Sequence, residues 1–274
     1  MSASLEELVR SLLYEGYALY PYTPGAVKNA TPTPFGVVYP PAYAGENPAA
    51  HDMLRLECAL EAGADAELKA TVRFLQSSGA GHSAVERRVE LPRAGAATEF
   101  AFDGEVRLEG RARMRADPLG EGLTRVRVCV HNTTACDPEA GRGAALAASL
   151  LSTHPILTSD RGRFLPAAAR PDLESVNTWP VLAAADDRAV IGASVVLPDH
   201  PQLAPESRGS LFDGTEIEEA LLLHVRTLSD GERGAIEAGD PAVRAMVERA
   251  AAATPEDLLR LHGRVTLRNP REEA

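Results

Sequence analysis

The sequence predicts an α+β fold whose core is an antiparallel β-sandwich or a single curved antiparallel sheet. Residues 52–132 hold several segments in which apolar and polar side chains alternate, as in strands that bury one face. Both ends of the chain instead show the apolar spacing of helices. We therefore expect one α+β domain over residues 1–274, with an N-terminal helix and a C-terminal helical segment packed on the strands.

The first 50 residues are expected to form one helix and an extended lid. Apolar side chains recur at helical spacing over residues 4–15, and Ser4 begins a capping-box pattern. Gly16 is expected to end this helix. The tyrosines and prolines that follow predict a stiff, irregular segment with one short strand at residues 35–39.

Residues 51–132 are expected to be β-rich. Alternation predicts strands over residues 53–60, 68–74, 85–91, 106–114 and 123–130. The last two of these flank a turn at residues 118–122 and predict a long antiparallel hairpin. One face of this hairpin is apolar and the other is rich in arginine.

Residues 133–229 predict mixed structure and residues 230–274 helices. A short helix is expected over residues 144–151, and short strands over residues 154–158, 163–165, 179–184 and 190–197. Residues 216–228 fit a strand or a helix, and we favour the strand because a helix would bury His224 or Arg226 among leucines. Helices are expected over residues 230–238, 241–252 and 255–261, followed by a strand over residues 264–267.

Composition and charge exclude several classes of function. The net charge of −11 argues against nucleic-acid binding, since an acidic chain repels phosphate backbones. No apolar run approaches the ~20 residues that span a bilayer, so membrane insertion is not expected. Glu6 and Glu7 stand where a secretory signal needs positive charge, which favours the cytoplasm. We attribute the abundance of arginine over lysine to a GC-rich coding genome.

Motifs of catalysis or cofactor binding are not found in the sequence. It lacks a nucleophile elbow, a phosphate-binding loop and a dinucleotide-binding glycine motif, so neither a cofactor nor a catalytic residue is assigned. Cys129, His131 and Cys136 are close in sequence and are residue types that bind zinc. A packed cysteine beside a loop histidine explains them more simply, and no metal site is assigned.

Two segments are candidates for partner binding. Aromatic side chains between prolines lose little entropy on binding, which suits a recognition surface. The alternative is that the tyrosines fasten an irregular lid onto the β core. A loop over residues 205–219 is rich in carboxylates. It can be interpreted as a partner surface or as a solvated turn. The candidate contacts are Tyr17, Tyr20, Tyr22, Lys28, Asn29, Phe35 and Tyr39 in the first segment and Glu206, Asp213 and Glu216 in the second.

Several sequence blocks resemble an uncharacterised bacterial family. They include Asn177-Thr178-Trp179-Pro180 and span nearly the whole chain, at residues 13–22, 26–29, 35–40, 150–154, 177–182, 204–207, 211–217 and 259–263. That family is associated with [NiFe]-hydrogenase gene neighbourhoods of actinobacteria and their relatives. The resemblance implies an accessory role in assembling, maturing or protecting this enzyme.

The residues and the resemblance together favour a binding protein. Its expected partner is a hydrogenase subunit or maturation factor, held through non-catalytic contacts, and a homo-oligomer stays open. The alternative is a hydrolase-type enzyme whose general acid/base site is built from loops. Its site residues would be His154, Asn177, Trp179 and Glu206. A nickel or iron carrier ranks last, because the chain has no dense cluster of histidine or cysteine.

Overall fold

A computed structural model describes most of the first 201 residues. The described ranges are 3–19, 36–62, 66–78, 84–93, 95–120, 122–194 and 196–201, with single residues between 229 and 256. Most of the predicted lid, the acidic loop, the segment 216–228 and the C-terminal helices lie outside these ranges. The predictions made for those segments stay predictions.

Within the described ranges, ten strands form two antiparallel sheets. Their bounds are β1 Met53–Glu61, β2 Leu68–Ser77, β3 Ala84–Leu91, β4 Thr98–Phe102, β5 Leu108–Gly120, β6 Leu123–Asn132, β7 Leu151–Ser159, β8 Arg163–Phe164, β9 Trp179–Leu182 and β10 Ala189–Ala193. The first sheet has the order β4-β5-β6-β1-β8 and the second has the order β3-β2-β7-β10-β9. The predicted strands of residues 52–132 and the hairpin β5–β6 are thus confirmed, while β4 was not predicted.

The helices depart from their predicted bounds. Helix α1 spans Ala3–Leu19 and passes through Gly16, so the predicted end is wrong. Glycine is only a frequent helix terminator, and packing of the preceding apolar stripe outweighs its cost of about 1 kcal/mol inside a helix. Helix α2, Pro41–Glu46, was not predicted, although proline is well tolerated in a first helical turn.

Two further short elements differ from expectation. The predicted strand at residues 35–39 is only a bridge between Val38 and Leu150. Helix α3 covers Arg142–Ala147, which is shorter than predicted, because the chain enters β7 at Leu151. No helix within the described ranges is both long and apolar enough to cross a membrane.

The core between the two sheets makes the fold a sandwich rather than one curved sheet. Leu56 and Val128 of the first sheet share a buried cluster with Val72, Phe74 and Leu157 of the second. Along β6, Val128 and the other buried residues alternate with less buried ones, as the sequence pattern predicted. Burial of this apolar surface supplies the main driving force for folding.

Helices cover the second sheet on its other face. Leu8 and Leu12 of α1 and Ala145 of α3 share a second buried cluster with Ile156 and Ile191. The second sheet is therefore buried on both faces. The first sheet keeps an outward face on β5, where Arg111 and Arg115 are exposed.

A buried cation attaches helix α1 to the sheet. The Arg73 side chain is only 4% exposed and forms ion pairs with Glu6 of α1 at 2.7 Å and with Glu86 of β3 at 2.6 Å. A buried guanidinium is costly unless carboxylates surround it. Helix α1 thus supplies one of the two charges that neutralise Arg73.

Glu6→Ala should lower the free energy of unfolding by about 1–2 kcal/mol, because Arg73 then keeps only one carboxylate. Glu7→Ala is the matched control, since Glu7 is exposed on the same turn of α1 and should change stability by less than ~0.5 kcal/mol. Urea unfolding monitored by circular dichroism measures both. Equal effects of the two substitutions would contradict this role of Glu6.

Candidate functional site

Most of the predicted partner contacts lie outside the described residues. These are Tyr20, Tyr22, Lys28, Asn29, Phe35, Glu206, Asp213 and Glu216. Tyr17 lies near the end of α1. Tyr39 is only 6% exposed and stacks on Tyr43 with ring centroids 5.2 Å apart. Burial raises the pKa of Tyr39, against the opposing effect of Arg142. At this position the structure supports the alternative, a tyrosine that fastens the segment to the core.

His154 lies on strand β7 and not on a loop, so its loop placement in the enzyme hypothesis is wrong. Its side chain is fully buried, with Nδ1 2.9 Å from the carbonyl oxygen of Gly192. Nδ1–H therefore donates to that carbonyl, and Nε2 lies 3.2 Å from the Ser152 hydroxyl oxygen, which is also 3.3 Å from the Leu12 carbonyl oxygen. Burial lowers the pKa of His154 to about 4, so the imidazole is neutral at pH 7.

Asn177 is also buried, and its side chain holds the segment that follows the predicted lid. Oδ1 accepts from the Gly36 backbone N–H at 3.0 Å, and Nδ2 donates to the carbonyl oxygens of Val37 at 2.7 Å and Met53 at 3.4 Å. The carbonyl of Gly36 in turn accepts from the Thr153 N–H at 2.7 Å. Asn177 and Thr153 thus both form hydrogen bonds with Gly36, and these bonds hold the segment after the predicted lid against the rest of the fold.

Gly36 has to be glycine at this meeting point. Its φ of +84° lies in the left-handed region, and a Cβ there would come within 2.6 Å of the Ser194 Cβ. The close packing leaves no room for a ligand beside Asn177.

The remaining residues of the enzyme hypothesis do not complete a pocket with His154. Trp179 begins β9, is 38% exposed, and donates its indole N–H to the Leu197 carbonyl oxygen at 3.2 Å. Glu206 lies outside the described residues. Two cavities in the described part of the chain have linings that include none of His154, Asn177 and Trp179.

The cysteines do not form a metal centre in the described structure. Cys129 and His131 both face outward from β6, where they alternate with the buried residues Val128, Val130 and Asn132. Among the described residues, no group of three histidine, cysteine, aspartate or glutamate side chains is placed to hold a metal ion.

The outer face of the β5–β6 hairpin carries a cavity that the sequence did not predict as a site. Its volume is about 320 Å³, and we call it the arginine cavity. It is lined by Ala97, Arg111, Ala112, Arg113, Arg115, Arg127, Cys129 and His131. Four of these eight residues are arginines and none is acidic, in a chain whose net charge is −11.

The register of the hairpin creates this concentration of charge. Arg111 lies opposite His131, Arg113 opposite Cys129, and Arg115 opposite Arg127. Like charges directly opposite each other on one sheet face are destabilising. The cavity therefore places two guanidinium groups together at a cost to the fold.

The four arginines differ in their partners. Arg127 pairs with Glu57 of β1, whose side chain is 6% exposed, and Arg113 donates from Nε to the carbonyl oxygen of Gly95. The side chains of Arg111 and Arg115 form no hydrogen bond or ion pair with another residue of the described ranges. These two guanidinium groups are exposed and available to a ligand.

The other polar groups of the cavity are neutral at pH 7. Burial, and then the charge of Arg111, lowers the pKa of His131. Burial raises the pKa of the Cys129 thiol, although Arg127, Arg55 and Arg115 oppose the shift. The positive charge of the cavity is thus carried by guanidinium alone, which binds carboxylates and other oxyanions through paired N–H donors.

The sequence contained a signal for this surface. Arginine occupies positions 107, 111, 113 and 115 and again 125 and 127, and this pattern predicted an arginine-rich face. Because the arginines were attributed to genome composition, this face was not predicted as a site. Their arrangement as a cavity depends on the strand pairing.

Comparison with known proteins gives little further information. No protein-family model matches the chain, and no curated protein matches it. Among solved structures, the D1-D2-D3 domains of the flagellar cap protein FliD from Escherichia coli share 10% identity, with 88% of this chain and 73% of that chain covered. The TM-score of that pair is 0.10, so this similarity carries no argument about fold or function.

Proposed function

We propose that this chain is a cytoplasmic accessory protein that acts through non-catalytic contacts with a protein partner. The observation that carries the proposal is the exposed, unpaired cationic face around Arg111 and Arg115. The identity of the partner, a subunit or maturation factor of a [NiFe]-hydrogenase, rests on the sequence resemblance alone. The predicted tyrosine and proline lid and the acidic loop are proposed as further contacts.

The architecture suits a binding surface on the first sheet. The inner face of this sheet is buried in the sandwich, which fixes the backbone beneath β5 and β6. Side chains on the outer face are therefore held at regular spacing on a rigid support. A cationic patch of this kind steers an acidic partner and fixes its orientation.

The buried histidine favours binding over hydrolysis. A general base at neutral pH needs a pKa near 7 and access to a substrate. Burial gives His154 a pKa of about 4, and both ring nitrogens already have partners. His154 is thus better explained as a structural residue.

Co-purification from the native host tests the proposal. The tagged full-length chain is expressed under hydrogenase-inducing conditions, and co-purifying proteins are identified by mass spectrometry. We expect hydrogenase subunits or maturation factors to be enriched at least tenfold over an untagged strain. Absence of all such proteins would contradict the proposed partner.

Charge reversal in the same assay tests the surface. Arg111→Glu/Arg115→Glu should abolish the enrichment. Arg88→Glu/Arg161→Glu changes the net charge equally at exposed positions outside the cavity lining and should retain it. Retention by the first variant, or equal loss by both, would show that the arginine cavity is not the contact surface.

A further inference from the structure

We infer that the arginine cavity binds an extended acidic segment of a partner protein, with carboxylates at every second residue that pair with Arg111, Arg113 and Arg115. This inference rests on the proposed function, because it names the chemistry by which the partner would be recognised. Its basis is the pattern of unpaired charge, the spacing along β5 and the composition of the cavity.

The arginine cavity brings together cations that have no carboxylate partner. Eight arginines elsewhere in the described residues lie within 4 Å of a carboxylate: Arg55, Arg73, Arg88, Arg107, Arg161, Arg163, Arg170 and Arg188. Arg125 and Lys69 also form no ion pair within the described ranges, but neither lines this cavity. Glu99 of β4 lies opposite Arg111, yet the two form no ion pair. The chain has 39 acidic residues, so a shortage of carboxylates does not explain this gap.

The absence of a second carboxylate is most costly where Arg115 lies opposite Arg127. Side chains directly opposite on a sheet lie about 5 Å apart, where like charges repel. Of these two arginines only Arg127 pairs with Glu57, and Glu57 also lies 3.8 Å from Arg55. A carboxylate between these two arginines would attract both guanidinium groups and offset their mutual repulsion. The site is therefore completed by an anion from outside the described residues.

The spacing of the arginines matches an extended peptide. Arg111, Arg113 and Arg115 face the same side of β5, and alternate residues of a strand repeat about every 6.8 Å. The side chains of an extended ligand repeat at the same distance. A segment running along β5 would therefore place one carboxylate at each guanidinium if acidic residues stood at every second position.

The cavity suits a peptide better than a nucleic acid. Single-stranded nucleic acids are bound largely by stacking of bases on aromatic rings. No phenylalanine, tyrosine or tryptophan is among the residues that line the cavity. Its volume of about 320 Å³ is at the small end of ligand sites, which fits the ends of acidic side chains.

Fluorescence anisotropy with synthetic peptides tests the inference on the full-length protein. The probe is a labelled Ser-Glu-Ser-Glu-Ser-Glu-Ser peptide. The control peptide, Ser-Ser-Glu-Glu-Glu-Ser-Ser, has the same composition and charge without the alternation. We expect the alternating peptide to bind at least fivefold more tightly, with an affinity that falls as salt is added.

Arginine variants then locate the binding. Arg111→Gln/Arg115→Gln should weaken the alternating peptide at least tenfold, whereas Arg88→Gln/Arg161→Gln should bind it like the wild type. Both side chains of the first variant are exposed, so an unchanged circular dichroism melting curve verifies that it is folded. Equal affinity for the two peptides, or no loss in the cavity variant, would overturn the inference.

Competition separates the peptide from other anions. Inorganic phosphate and an oligodeoxythymidylate are titrated against the bound peptide. Displacement at phosphate concentrations below those of the unlabelled peptide, or tighter binding of the oligonucleotide, would overturn the inference in favour of a phosphate ligand. Peptide binding does not depend on hydrogenase, so a failed co-purification and a failed peptide assay are independent results.

Discussion

Asn177→Ala should lower the free energy of unfolding by about 2–3 kcal/mol. The substitution leaves the buried Val37 carbonyl without its side-chain donor, at a cost of about 1–3 kcal/mol. The Gly36 N–H loses Oδ1 but keeps the backbone carbonyl oxygen of residue 177 at 2.9 Å. Asn177 also has a φ of +59°, which asparagine tolerates better than alanine. Urea unfolding monitored by the fluorescence of Trp179, the only tryptophan, measures the change.

Three further substitutions test the reason for this effect. Asn47→Ala removes one side-chain hydrogen bond, to the Tyr43 carbonyl, and should cost only about 1 kcal/mol. Asn177→Asp keeps an acceptor for the Gly36 N–H but loses the donor to Val37. Asn177→Gly relieves the backbone strain alone and should recover about 1 kcal/mol relative to alanine. A loss in Asn177→Ala no larger than in Asn47→Ala would contradict the role of the buried amide.

A second buried asparagine, Asn132, also forms hydrogen bonds with the segment that begins at Gly36. Asn132 donates to the carbonyl oxygens of Val38 and Ala148 at 2.9 and 2.8 Å. The buried segment 36–39 pairs with other backbone at isolated positions, such as the bridge of Val38 to Leu150. Asn177 supplies the donor for the Val37 carbonyl, and Asn132 adds a second donor for the Val38 carbonyl.

The strands of the hairpin could be predicted from sequence because each has one buried and one solvated face. Leu108, Ala112 and Met114 are buried, and the arginines between them are not, so alternation survives in the sequence. β4 has only five residues and lies at a sheet edge, where the pattern is too short to be distinguished from a loop.

The candidate site could be predicted only in its composition. The placement of Arg115 opposite Arg127 depends on the register of β5 and β6, which shifts near Pro118 and Gly120. Glu57, which pairs with Arg127, comes from β1 and is 70 residues away in sequence. Neither fact follows from local spacing, since both are set by how distant strands pair.

The burial of His154 was equally hidden in the sequence. β7 lies between β2 and β10, and α1 packs over it, so this strand has no solvated face. A strand buried on both faces loses the alternation that marks an exposed side chain. The sequence pattern of such a strand therefore does not distinguish a buried histidine from a solvent-accessible one.

The same burial should make the stability of the protein depend on pH between 6.5 and 4. Burial lowers the pKa of His154 from 6.5 to about 4, so in this interval the unfolded chain binds a proton that the folded chain does not. Stability is then complete above pH 6.5 and falls as the pH drops towards 4. At 1.36 kcal/mol per unit, the loss from His154 approaches about 3 kcal/mol.

His154→Asn isolates this contribution, because its amide can donate to the Gly192 carbonyl but does not titrate. Free energies of unfolding are measured at pH 7, 6, 5 and 4 for the wild type and the variant. The wild type should lose about 3 kcal/mol more than the variant over this range, even if the variant is less stable at pH 7. Parallel slopes in the wild type and His154→Asn would mean that His154 is not buried in the neutral form.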